Sequence, residues 1–371
     1  MIANEFTEFY NFVKLGKERH KPNVRFNYPC IELEHIDKET GILLGSTESL
    51  HTVSIKNHFQ SGDTLFGKLR PNLRKFLRPN FDGVCSTEIW VFKADVSKCD
   101  KVFLFYLVQS TKFIQAACKT TGSKMPRADW ELLSLQPFYL PFFPEQQKIA
   151  SILRTWDKAI WELKKLYEAK EKKYKAIAQN IFKNQATNEK WLPTSLSSIS
   201  NIKKGKQLNR LDMKGGIYPA WNGGITPSGF TNEWNAEADT ITISGGGNSC
   251  GFINLCKEKF WLGGSCYAIT DLSTNINKYF LYFQLKKNEL KIMKLRVGTG
   301  LPSIQKEPIH NYTVYIPPID KQNKIANLLG SLCSELEIYK KQISIIKNQK
   351  QGLMQKLLTG QWRVKVDEEV R

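Results

Sequence analysis

Leu140-Pro141-Phe142-Phe143-Pro144-Glu145-Gln146-Gln147-Lys148-Ile149-Ala150-Ser151-Ile152-Leu153 and Ile316-Pro317-Pro318-Ile319-Asp320-Lys321-Gln322-Asn323-Lys324-Ile325-Ala326-Asn327-Leu328-Leu329 share one pattern, prolines followed by the start of an amphipathic helix. They lie 176 positions apart, the separation of Gly122 from Gly298. Upstream the likeness continues: Gly122-Ser123-Lys124-Met125-Pro126 lies over Gly298-Thr299-Gly300-Leu301-Pro302, and Phe103-Leu104-Phe105-Tyr106-Leu107 over Tyr279-Phe280-Leu281-Tyr282-Phe283. Glycine, proline and polar positions shared in one register mark a duplication of about eighty residues.

Each copy ends in a heptad seam. Ile149, Leu153, Trp156, Ile160, Leu163, Tyr167, Lys170, Tyr174, Ile177 and Ile181 follow at alternating four- and three-residue steps. Ile325, Leu329, Leu332, Leu336, Tyr339, Ile343, Ile346, Lys350, Leu353 and Leu357 do the same. Such spacing holds an apolar stripe on one side of a helix, here over roughly 33 residues or about 50 Å. One helix cannot hide its stripe alone, and the simplest partner is the duplicate. The connectivity favours an antiparallel pair with an approximate internal twofold axis; the alternative is that each helix packs on its own domain. The fold class expected is α+β: two repeated globular domains of mixed strands and helices, separated by two long helices forming an antiparallel coiled coil. The boundaries fall at 1–143, 144–185, 186–316 and 317–371.

With 371 residues the chain is long enough for two cores. Its net charge of +19 makes a polyanion the first partner to consider. Basic residues occupy both copies, as Lys68, Arg70, Arg74, Lys75 and Arg78 and as Lys203, Lys204, Lys206 and Arg210. A charge run can also be a solvated face. Cys30, Cys85, Cys99, Cys118, Cys250, Cys256, Cys266 and Cys333 form no C-x-x-C pair and no histidine cluster, so neither zinc nor a disulfide framework is expected. Met1-Ile2-Ala3-Asn4-Glu5-Phe6 lacks the regions of a signal peptide and no apolar run reaches membrane length, which points to the cytoplasm.

Strand-like runs in the first half are Tyr28–Leu33, Asp63–Pro71 and Glu88–Phe92, followed by a helix from Lys101 to about Ala117. Pro137, Pro141 and Pro144 precede a long helix expected to begin at Glu145. The second half repeats the plan with strands at Thr240–Ile243, Gly251–Leu255 and Phe260–Leu262 and a helix near Lys278–Lys294. Lys183–Lys190 is the linker.

Gly247-Asn248-Ser249-Cys250-Gly251 satisfies G-x-S-x-G, the serine hydrolase elbow, but the elbow needs a helix to follow and Phe252–Leu255 reads as a strand. Turn glycines that let a backbone approach a phosphate are the preferred reading. There is no phosphate loop, no dinucleotide fingerprint and no Asn-Pro-Pro-Tyr or Asp-Pro-Pro-Tyr run. Reading DNA requires cations for phosphates and amides or guanidinium groups for base edges. Candidates in the first copy are Lys68, Arg70, Asn72, Arg74 and Lys75, with Lys124 and Arg127 in the loop from Gly122. Those in the second are Lys204, Lys206, Asn222, Thr226, Ser228 and Asn248, with Ser303, Gln305 and Lys306 in the matched loop. Trp221 and Phe230 read first as core or loop anchors and second as base-stacking groups.

The two proline-led helix starts, the ending Lys350-Gln351-Gly352-Leu353-Met354-Gln355-Lys356-Leu357-Leu358-Thr359-Gly360-Gln361-Trp362-Arg363-Val364, and the segments Ile31-Glu32-Leu33-Glu34-His35-Ile36-Asp37 and Tyr218-Pro219-Ala220-Trp221-Asn222-Gly223-Gly224 resemble the specificity (S) subunit of type I restriction-modification systems over almost the whole chain. Two departures stand out: Glu145 is matched by Lys321, and Asp157, similar to the family's helix aspartate, by Cys333. The resemblance implies two target-recognition domains, each reading half of a split double-stranded DNA site. It also implies docking of two methyltransferase (M) subunits on the conserved helices and recruitment of restriction (R) subunits. S-adenosylmethionine, ATP and Mg would belong to those partners, and adenine methylation and cleavage would be theirs. This chain would be non-catalytic, with no cofactor or metal of its own. A stand-alone DNA-modifying enzyme or a non-specific nucleic-acid-binding scaffold are the alternatives.

Overall fold

The computed structural model describes residues 6–21, 26–119, 125–213, 215–298 and 300–366. The chain forms two compact units, one of residues 1–164 with 342–371 and the other of residues 165–341.

The first unit holds a four-stranded antiparallel sheet in the order Val13–Leu15, Ile89–Ala94, Thr64–Gly67, Phe76–Leu77. Beside it a five-stranded sheet pairs Pro29–Ile31 in parallel with Gly83–Cys85. Its core is aromatic: Phe9, Phe12, Phe66, Phe92, Phe103, Phe113 and Phe138 are fully buried. Phe9 meets Phe12 and Phe92 edge-on, each at 5.4 Å between ring centroids, the arrangement ring quadrupoles favour. In the second unit the corresponding sheet runs Asn201–Lys204, Cys266–Thr270, Thr240–Ser244, Ile253–Cys256, again antiparallel throughout and in the same order. Tyr218–Trp221 pairs in parallel with Trp261–Leu262, as the first unit's Pro29–Ile31 does with its partner.

The helix expected from Lys101 to Ala117 is two, Lys101–Leu107 and Thr111–Ala117. The first ends at a Val108 cap, and Ser110 starts the second, its hydroxyl accepting the Phe113 N–H at 3.2 Å, a local competitor that periodicity does not register. The second copy likewise breaks at Asn288, between Lys278–Lys287 and Glu289–Met293. The strand expected over Asp63–Pro71 stops at Gly67, and a short 3-10 turn at Pro71–Leu73 follows. The ungapped register also needs a one-residue correction here. Asp100 caps its helix as Asn277 caps the later one, so buried Phe103 and Leu104 correspond to buried Phe280 and Leu281 rather than to Tyr279 and Phe280.

The long helices span Phe143–Phe182 and Ile319–Leu357. The first begins two residues before Glu145, with Pro144 in its opening turn, where a missing N–H costs nothing. Leu153, Trp156, Ile160, Leu163, Tyr167, Leu329, Leu332, Leu336, Tyr339 and Ile343 are all buried or half-buried on helices whose other positions are largely exposed. Within the first unit Ile149, Ala150 and Leu153 share a core with Met354, Leu357 and Leu358. Within the second, Ala178 and Phe182 share one with Ile325, Ala326 and Leu329.

Candidate nucleic-acid interface

Lys68–Lys75 joins two antiparallel strands of the first unit and is tied to the segment that follows Gly122. The Arg70 N–H donates to the Pro126 carbonyl at 2.8 Å, the Ala128 N–H to the Lys68 carbonyl at 2.8 Å, and Leu69 bridges Arg127. The two sequence-predicted stretches therefore form one surface. Arg70 and Arg74, flanking the turn, are both left-handed, at φ 51° and 52°. Arg74 turns inward, its Nη2 donating to the Gln109 carbonyl at 2.9 Å, while the Glu39 N–H reaches the Arg74 carbonyl at 3.0 Å. Lys75 donates through Nζ to the Leu33 carbonyl at 2.5 Å, and burial pulls its pKa down. Arg127 pairs with Glu88 at 2.9 Å. Of the candidates, Arg70 and Asn72 are exposed and Lys68 half-buried, whereas the Arg74 and Lys75 side chains are held inside the domain. Lys124, with Gly122 and Ser123, lies outside the described residues.

In the second unit the matched connection is Gly245–Phe252. The Gly247 N–H donates to the Pro302 carbonyl at 2.9 Å, the Ile304 N–H to the Gly245 carbonyl at 3.0 Å, and Gly246 bridges Ser303. A Cβ on Gly223 would stand 2.9 Å from the Ser265 carbonyl oxygen, and one on Gly263 2.6 Å from Asn222 Oδ1, so these strands of backbone pack with no room for side chains. Ser244 adds a close hydroxyl bond to the Gly223 carbonyl, and Asn222 Oδ1 accepts the Ser265 N–H at 3.2 Å. Lys206 is exposed while its backbone is fixed: its N–H donates to Leu262 and its carbonyl accepts Trp261 Nε1 at 3.1 Å. Lys204, Thr226, Ser228, Asn248 and Gln305 are exposed; Asn222, Ser303 and Lys306 are half-buried. Beside them opens a cleft of about 660 Å³ lined by Gln207, Leu208, Asn209, Met213, Asn222 and Ser228. Gln207 and Asn209 of this cleft are not among the sequence-predicted candidates, since they carry no local signal.

Gly247–Gly251 is thus a strand-joining turn, not an elbow leading into a helix. Gly247 and Gly251 have φ 75° and 92°, the left-handed conformation of Arg70 and Arg74. The hydrogen bonds match as well: Leu73 N–H to Arg70 at 2.9 Å answers Cys250 N–H to Gly247 at 3.0 Å, and Gly67 N–H to Lys75 at 2.8 Å answers Ser244 N–H to Phe252 at 2.9 Å.

In each unit the start of the long helix is fastened by a buried glutamine. Gln146 accepts the Asp100 N–H at 2.8 Å and donates to the Lys98 and Pro141 carbonyls at 2.8 Å. Gln322 accepts the Asn277 N–H at 2.9 Å and donates to the Asn275 and Pro317 carbonyls. The two sequence departures sit nearby. Glu145 is fully buried, held by Arg363 at 2.7 Å and by the Val364 N–H at 3.1 Å, whereas Lys321 lies over the Trp191 ring. Asp157 receives Lys350 at 2.6 Å and the Tyr106 hydroxyl at 2.7 Å, and burial and that carboxylate push the phenol up. Cys333 instead packs with Tyr174 on the core of the second unit, where burial pushes both groups up.

Among the described residues no helix is long and apolar enough to cross a membrane, and no group of three metal-ligating side chains gathers. Residues 48–171 and 188–348 match the family model described as the type I restriction modification DNA specificity domain. A type I specificity subunit of Mycoplasma pneumoniae is 32% identical over 176 residues, 47% of each chain. The matched stretch spans about half the length of that relative. The MjaVIII type I restriction enzyme specificity subunit of Methanocaldococcus jannaschii is 25% identical over 72% of this chain and 71% of that one. The crystal structure of the S subunit of a type I restriction-modification system from M. genitalium shares the fold, with a TM-score of 0.63 at 20% identity, covering 96% of this chain and 98% of that one.

Proposed function

This chain belongs to the type I restriction-modification DNA specificity family, and from that premise we propose that it is the subunit that carries a methyltransferase and endonuclease complex to a bipartite double-stranded DNA target. The observation that carries this reading is the repeated outward turn. Each unit rebuilds it on the same four-stranded sheet and bridges it to a matched proline-containing loop, and exposed side chains able to meet DNA surround both copies: Arg70 and Asn72 in one, Lys204, Lys206 and Asn248 in the other. Cations supply phosphate affinity, and amide and guanidinium groups supply base contacts.

Each unit reads one half of the target. The long helices form an antiparallel coiled coil with a pseudo-twofold relation between the copies. Three ion pairs support this, since residues rising along the first helix meet falling positions beyond: Glu145 with Arg363 and Asp157 with Lys350 in the first unit, Lys170 with Glu335 in the second. The domains are 1–143 and 186–316, and the conserved helices, 144–185 and 317–371, separate them and dock two M subunits. R subunits join that assembly in the cytoplasm. S-adenosylmethionine is bound by the M subunits, ATP and Mg by the partners, and the chain itself catalyses nothing.

Purified chain mixed with duplex DNA and S-adenosylmethionine is expected to transfer no methyl group until M subunits are added. Adenine methylation should then appear at a split motif. Methyl transfer by the chain alone would establish a stand-alone enzyme, and equal affinity for every duplex in the assembled complex would establish a non-specific scaffold.

A further inference from the structure

We infer that the turn Arg70–Arg74 is the base-reading finger of the first unit, with Arg70 taking a guanine edge and Asn72 an adenine edge, and that Gly247–Gly251 presents Asn248 to an adenine in the second. The inference rests on the DNA-recognition reading above and adds the residues and the bases.

The two copies supply the comparison. Arg70 and Gly247 occupy the same place, each left-handed and each donating its N–H to a matched proline carbonyl. The second copy fills this position with glycine, the residue that adopts positive φ without steric penalty. The backbone therefore has no need of a side chain, and an arginine is kept there against its own conformational preference. Arg74, equally strained, is repaid by its bond to the Gln109 carbonyl. Among the described residues Arg70 has no such return: its guanidinium is exposed and meets no partner there. Strain held without internal compensation points to use outside the molecule.

The turn is also rigid. Pro126 fixes its first residue and the Glu39 N–H its last, while the Arg74 side chain anchors it from within. Direct readout needs such support, because a bidentate contact tolerates little displacement. Arginine offers a fork to guanine O6 and N7, and asparagine offers an amide to adenine N6 and N7. Arg70 and Asn72 are two residues apart, within about 7 Å of chain, or about two base steps at 3.4 Å each, so both fall within one half of the target. In the other copy Asn248 is exposed, directly after the glycine that matches Arg70.

The test uses the full chain assembled with its M subunits and a library of duplexes carrying randomised bases, with bound sequences recovered at several salt concentrations. The parent should enrich a split motif. Arg70→Gly, which takes the backbone state Gly247 already shows, should lose about tenfold or more of the preference at one G·C pair. The other half and the salt slope should be unchanged. Arg70→Lys, which keeps the charge but not the fork, should lose the same preference. Asn72→Ala should relax one A·T pair in that half and Asn248→Ala one in the other. An intact motif in the Arg70 variants, or uniform weakening of all sequences with a shallower salt slope, would overturn the finger while leaving the specificity function standing. A parent complex that enriches no motif would remove that function and the finger with it.

Discussion

Gln146 shows how one side chain can decide a junction. Its amide serves the Asp100 N–H and the Lys98 and Pro141 carbonyls, joining the start of the long helix to the cap of a remote helix and to the proline-rich approach. Replacement by leucine preserves bulk and removes the partner of one buried and two part-buried polar groups, a buried one left unpaired costing about 1–3 kcal/mol. Gln146→Leu is expected to lower the stability of the first unit by about 3 kcal/mol or more, read as an earlier urea midpoint at unchanged slope. A shift under about 1 kcal/mol would show that water satisfies these groups. Arg70 should behave oppositely. Relief of a left-handed side chain is worth about 1–2 kcal/mol and is partly offset by the greater freedom of unfolded glycine. Arg70→Gly should accordingly match or exceed the parent in thermal unfolding, and a clear loss would mean that the arginine is structural.

The turn is the element in which these residue effects combine. Because Arg70–Arg74 and Gly247–Gly251 close with corresponding hydrogen bonds, five residues of one copy should be transplantable into the other. A chain carrying Gly-Asn-Ser-Cys-Gly at positions 70–74 should fold. It loses the Arg74 bond to the Gln109 carbonyl, a charged hydrogen bond worth about 1.5–3 kcal/mol, while two left-handed side chains are relieved. The expected net change is within about 2 kcal/mol, measured by urea unfolding. Failure to fold would show that the turns are alike in hydrogen bonding but not in packing.

The long helices act at the scale of the molecule. If their seams pack against each other, helix length sets the separation of the two reading units. Four residues inserted after Ala169 advance the helix by about 6 Å and rotate it by roughly 40°. Six ångströms is nearly two base pairs at about 3.4 Å each. The variant should therefore methylate a motif with a longer unread spacer or lose activity, with the bases of each half unchanged. Sequencing the methylated sites decides it: an active variant with the parental spacer would end the ruler. Exchange of residues 1–143 for another recognition domain should alter one half of the motif only, and a change in both halves would refute separate reading.

The seams were legible in the chain because amphipathic periodicity is local: Leu153, Ile160 and Leu329 announce their burial by spacing alone, as the aromatic and β-branched runs announce the strands. The duplication, the basic excess and the matched helix starts were legible for the same reason. Helix breaks at Ser110 and Asn288 were not, since short polar side chains can compete for the backbone within a stretch whose apolar spacing still reads as helix. Nor could spacing distinguish Arg70 from Arg74 and Lys75. Their separation into one exposed and two internally bonded cations depends on the carbonyls of Gln109 and Leu33, distant in sequence and brought close only by the sheet packing. The sequence by itself determined the elements, their repetition and the sign of the charge, all properties of neighbouring residues. Which cations remain free, that two left-handed arginines stand where the other copy has glycines, and that a buried glutamine fastens each helix were decided by the tertiary structure, because each depends on partners that meet only when remote segments close.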